Sequence, residues 1–98
     1  MSNLIWVQKW YLFNCDGDWE HGYGVRIDTL DNPGWSVKIN LNGTQAEGLT
    51  TEPIQRKTTD TDWVHCSISN KEFQGAGGPE NLDEILQIFR ALVEAAGK

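Results

Sequence analysis

A chain of 98 residues is large enough for one hydrophobic core and too small for two, so residues 1–98 read as a single domain. At 39% hydrophobic and 22% charged residues, with five tryptophans, it is too rich in apolar and aromatic side chains to be a disordered segment. Eight basic against fourteen acidic residues leave a net charge of −6, which argues against direct binding to a nucleic acid and favours a basic partner.

The chain opens with Met1, Ser2, Asn3 and Leu4, without the basic start and long apolar stretch of a secretory signal, so the cytoplasm is the expected location. The apolar run at residues 10–13 is far short of the roughly 20 residues that a membrane helix needs, and no membrane partner is expected. Over residues 3–13, Leu4, Ile5, Trp6, Val7, Trp10, Tyr11, Leu12 and Phe13 cover most of a helical wheel. That pattern predicts a helix buried on more than one side, with a strand as the alternative. Trp6, Trp10 and Phe13 share one stripe, and Asn14, Asp16, Gly17 and Asp18 have the turn chemistry to stop the helix.

The period then changes to two. Tyr23, Val25 and Ile27 alternate with Gly24, Arg26 and Asp28; after a turn at residues 31–34, Trp35, Val37, Ile39 and Leu41 alternate with Ser36, Lys38 and Asn40. Two half-buried strands of an antiparallel pair follow from this alternation. Asn42-Gly43 suits a type I′ turn and predicts a hairpin into a short third strand. Thr44, Ala46 and Gly48 would be its inner face, small enough for a helix to come close.

Residues 50–62 read as a connection with an irregular edge segment near Ile54. Val64, Cys66 and Ile68 alternate with Trp63, His65, Ser67 and Ser69 in a fourth strand, and Gly75, Ala76, Gly77, Gly78 and Pro79 read as a flexible linker. Leu82, Ile85, Leu86, Phe89, Leu92, Val93 and Ala96 form one helical stripe, with Asn81 and Glu84 at capping-box spacing before it. The predicted fold is α+β: a four-stranded antiparallel sheet with N-terminal and C-terminal helices packed on it.

Residues 15–24 concentrate three carboxylates, an imidazole, a thiol and two aromatic rings. As a calcium loop the stretch fails, because His21 stands where the sharp turn needs Gly and Ile27 where the loop needs a bidentate Glu. As a zinc site it lacks any C-x2-C or H-x3-H pair, and His65 and Cys66 would point to opposite faces of a strand. Cys15 has acidic neighbours that disfavour a thiolate, and Cys66 reads as a core thiol; neither a disulfide nor a cofactor is expected. General acid-base work by Asp16, Asp18, Glu20 and His21 stays open as an alternative, since crowded carboxylates raise one another's pKa. In that alternative the protein is a small enzyme or ligand-binding domain with an acidic pocket at residues 16–21.

Five tryptophans exceed what so small a core swallows, and Trp19, in the acidic loop, and Trp63, on the polar face of its strand, are the ones expected at the surface. Aromatic anchors ringed by charge suit protein interfaces. The expected partner contacts are therefore Asp16, Asp18, Trp19, Glu20 and His21, extended by Trp63 and His65 if the polar face of the sheet is open. The structural alternative buries Trp19 and uses the carboxylates as turn formers and caps.

The combination Trp6-x3-Trp10-Tyr11, Asp16-Gly17-Asp18-Trp19-Glu20-His21-x-Tyr23-Gly24, residues 29–35, Asp62-Trp63-x2-Cys66 and Gly75-x-Gly77-Gly78-Pro79-x-Asn81-Leu82 resembles the immunity protein 53 family of bacterial polymorphic toxin systems, over nearly the whole chain. The resemblance implies a small α+β protein, not an enzyme, that protects a toxin-producing cell by binding the cognate toxin. With the charge, it implies a basic toxin, a nuclease being the class that suits an acidic inhibitor. Some relatives carry a rhodanese-related sulfurtransferase label, but this chain has neither the six-residue cysteine loop nor the strand-helix alternation of that fold.

Overall fold

A computed structural model describes residues 1–22 and 24–97 of the chain. Its elements are α1 (Asn3–Asn14), a single turn α2 (Trp19–Gly22), β1 (Val25–Leu30), β2 (Gly34–Asn40), β3 (Thr51–Thr59), β4 (Asp62–Ser69), β5 (Glu72–Gly77) and α3 (Leu82–Ala96). The strands form one antiparallel sheet of five, not four, in the order β1-β2-β5-β4-β3. β1 and β2 pair antiparallel, Val25 opposite Ile39 and Ile27 opposite Val37, but β1 is not half-buried as expected: at the edge of the sheet it leaves Ile27 37% exposed, while Val37 and Ile39 are fully buried. Tyr23, expected to head this inner face, lies outside the described residues.

The additional strand is the glycine-rich segment expected to be a linker. β5 takes the central place between β2 and β4, and it turns Phe73, Gly75 and Gly77 to the inner face. Glycine is required here by the close approach of α3: a Cβ on Gly75 would lie 2.5 Å from Ile85 Cγ2, and one on Gly77 would lie 3.1 Å from Ile85 Cδ1. The small residues that admit a helix are thus on β5, not on a strand at residues 44–48.

That expected third strand is absent. Residues 42–48 form successive turns, because Thr44 Oγ1 donates to Leu41 O at 2.7 Å and accepts from Ala46 N at 3.1 Å, local bonds that replace a ladder. The turns press Leu41 and Ala46 into the core. The two-residue hairpin lies instead between β4 and β5, at Asn70 and Lys71, whose φ angles of 52° and 61° are those a type I′ turn demands. Residues expected to be a connection form edge strand β3, its period masked by a register shift between Thr51 and Ile54, where Pro53 stands.

One face of the sheet is covered by α3, which buries Ile85, Leu86 and Phe89 against Val37, Ile39, Val64, Cys66, Ile68 and Phe73. Helix α1, N-capped by Ser2 Oγ on Ile5 N at 3.1 Å, packs on α3 through Trp6 and Trp10, whose rings stand edge-on to Phe89 at 6.1 and 5.0 Å. It is buried on one side only. Phe13, expected on the same stripe as Trp6 and Trp10, is 67% exposed. Both cysteines are free, and burial pushes the Cys66 thiol up to about 11. No described helix is long and apolar enough to cross a membrane.

The start of α3 is anchored differently from a capping box. Asn81 makes no side-chain cap; its Nδ2 donates to Asp62 Oδ1 at 2.9 Å and to Glu84 Oε1 at 3.1 Å. Arg56, inward-facing on β3, grips Glu84 with both Nε (3.0 Å) and Nη2 (2.6 Å) and reaches Asp62 at 2.8 Å, tying the edge strand to the helix. The guanidinium holds both carboxylates below their ordinary pKa values of 3.8 for Asp62 and 4.5 for Glu84. A depressed folded-state pKa gives stability that is present above the unfolded value and lost as pH falls through the folded one. An Arg56→Met variant should therefore melt below the unsubstituted protein at pH 7, and the gap should narrow sharply by pH 3. Thermal melts of both proteins at the two pH values check this; a gap independent of pH would contradict it.

Candidate partner-binding surface

The stretch at residues 16–21 owes its shape to its own carboxylates. Asp16 Oδ1 accepts from Asp18 N at 2.9 Å and Trp19 N at 3.0 Å, capping the turn α2. Glu20 returns the favour to the chain entering that turn, accepting from Asp16 N at 2.9 Å and Gly17 N at 2.8 Å. The backbone N–H groups of Trp19 and then Asp18 pull the Asp16 carboxyl below its ordinary range; the backbone N–H of Glu20 itself, followed by those of Asp16 and Gly17, does the same for Glu20. Crowding was expected to raise these pKa values, but donation from backbone N–H groups outweighs it. Both groups are anionic at neutral pH, which is the state for pairing with cations and not for donating a proton.

Trp19 is a correction to the expected surface. Only 4% exposed, it stands edge-on to Trp10 at 5.6 Å and donates from Nε1 to Asn40 O at 3.1 Å, so it locks the acidic corner onto the end of β2. Asp18 and His21 are exposed on the turn. The corner thus presents negative charge held on a rigid base, with the ring as its root.

Trp63 and His65 lie elsewhere. They point to the outer face of the sheet, which no helix covers, with His65 exposed and Trp63 half-buried. An open groove of about 710 Å³ runs there, lined by Gln55, Lys57, Asp60, Trp63 and His65 among others. Trp63 neighbours the Val64–Gly77 pair at one end of the strands, whereas Asn40, which receives Trp19, pairs with Glu72 at the other. The seven expected contact residues therefore form two separate patches.

Sequence reasoning missed a third surface. Met1, Leu4, Ile5, Tyr11, Leu12 and Phe13 are six of the seven large apolar side chains exposed among the described residues. The signal was legible: a helix apolar on all sides needs more than one cover, and the described residues set α3 and the ring of Trp19 against one side of it. Among the described residues, no three His, Cys, Asp or Glu side chains gather where they could hold a metal ion.

A family model described as Immunity protein 53 matches residues 4–94 of the chain. No curated protein and no solved structure matches it.

Proposed function

The chain belongs to the Immunity protein 53 family, and from that premise we propose that it neutralises a cognate bacterial polymorphic toxin by direct binding in the cytoplasm of the producing cell. Family membership over residues 4–94 is the observation that carries this reading. It acts by occupancy, not by turnover. The partner is a basic protein, with a nuclease the class proposed, because the chain carries a net charge of −6 and an active site that binds nucleic acid is positively charged.

Asp16, Asp18 and Glu20 form the electrostatic part of the contact, steering a basic toxin onto the corner that Trp19 braces, with His21 beside them. The anionic state of Asp16 and Glu20 and the rigid backing that Trp19 gives the corner support this role. Trp63 and His65 form a second candidate patch, on the open sheet face.

Co-expression with a cognate toxin tests the reading: cells carrying both should grow, and cells carrying the toxin alone should arrest. Asp18→Asn should slow association with the toxin and flatten its dependence on salt, with melting temperature unchanged, because a rim charge acts on the encounter rate. Arrest despite expression of the folded protein would refute the proposed function.

A further inference from the structure

We infer that the outward face of α1, centred on Leu4, Ile5 and Leu12, is the apolar anchor by which this protein grips its toxin. The inference rests on the proposed function and supplies the contact that the acidic corner alone lacks. Leu4, Gln8 and Leu12 follow one another at four-residue spacing and Ile5 lies beside them, on the side of the helix opposite the buried Val7 and Trp10. Leu12 is 72% and Leu4 52% exposed, and Tyr11 and Phe13 widen the stripe to either side. Monomeric proteins rarely leave contiguous apolar patches larger than a few hundred Å² open to water, and larger ones mark interaction sites.

A groove of about 350 Å³ lies beside this ridge, lined by Met1, Trp6, Trp10, Phe13, Lys9 and Gln45 among others. Ridge and groove together suit a partner that offers both a furrow and a protruding apolar side chain, which is how interface hot spots exclude water.

Charge decides between occupants. The C-terminal end of α1 leads through Cys15 into Asp16, Asp18 and Glu20, so the stripe ends at an acidic turn, with Lys9 the cation in the groove at its other edge. Two copies of a chain at −6 repel each other, whereas a partner whose apolar patch is bordered by Lys or Arg is drawn to the same place. The surface therefore fits a basic protein better than a second copy of itself.

The test uses the 98-residue chain and a cognate toxin domain, inactivated by substitution, with affinity measured by calorimetry. The double variant Leu4→Ser, Leu12→Ser should bind about 30-fold or more weakly, the loss typical of a hot-spot pair. Its melting temperature should fall by no more than the few degrees that the weaker helix propensity of serine costs, since Leu12 is 72% and Leu4 52% exposed. Ile5→Lys, a second variant on the same face, should weaken binding likewise. Tight binding by the unsubstituted chain that neither variant diminishes overturns this inference and leaves the proposed function standing. Failure of the unsubstituted chain to bind overturns both. Sedimentation of the unsubstituted chain as a dimer that the double variant dissociates, with toxin affinity unchanged, assigns the face to a second copy and overturns the inference as well.

Discussion

Phe89→Ala is expected to cost about 3–5 kcal/mol of stability, the range for truncating a buried aromatic side chain. Phe89 is fully buried, and it is where the layers meet: Trp6 and Trp10 of α1 stand edge-on to its ring, and Phe73 of β5 lies 5.1 Å away on the sheet side. Truncation would leave a cavity between helix pair and sheet that none of these rings fills without leaving its own contacts. Since a domain of this kind has only about 5–15 kcal/mol in total, a large share of the molecules should unfold under mild denaturant. Gln87→Ala, exposed on the same helix, should change stability by less than about 0.5 kcal/mol. Urea titrations of the two variants measure the difference; similar midpoints would contradict the packing described.

Gly75→Val is expected to cost about 3 kcal/mol by overpacking, and its cause can be isolated. A Cβ at this position meets not only Ile85 Cγ2 at 2.5 Å but also the Phe73 ring at 3.1 and 3.2 Å, on a central strand that cannot move away from its two neighbours. Shortening the opposing side chain makes room. The double variant Gly75→Val, Ile85→Ala should therefore be more stable than the sum of the two single losses implies, a coupling that appears only when two side chains compete for one space. Strict additivity in chemical denaturation would show that the helix does not close on Gly75.

Much of this architecture was legible where a single period ran unbroken. The stripe from Leu82 to Val93 marked α3, and the alternation of Val37 and Ile39 marked the buried face of β2, whereas the same alternation in β1 did not predict that this edge strand leaves Ile27 exposed. The hairpins were misread for a physical reason. Asn42-Gly43 carries the stronger turn preference, yet Thr44 captures the local backbone, while Asn70-Lys71 adopts the left-handed conformation because Ser69 and Glu72 are held in register by the strands on either side. Gly75 and Gly77 look like a linker in sequence because what they fit, the side of Ile85, is ten and eight residues away along the chain.

The acidic loop was recognised from its composition, but not the fate of its tryptophan. Nothing local to Trp19 says that Trp10 and Asn40 O will receive it. For α1 the apolar wheel predicted burial on more than one side, and that was wrong: among the described residues only the side carrying Val7 and Trp10 is buried, because periodicity reports which residues are apolar and not what covers them.

Titrating the activity of a cognate toxin with this protein tests most directly whether the protein acts by occupancy. Activity should fall in proportion to the protein added and vanish when there is one chain per toxin molecule, with a complex of the two isolated by size exclusion. Loss of toxin activity that continues with time at a small fraction of one equivalent would mean turnover, and undiminished activity in excess protein would mean that this toxin is not bound; either result would contradict the account.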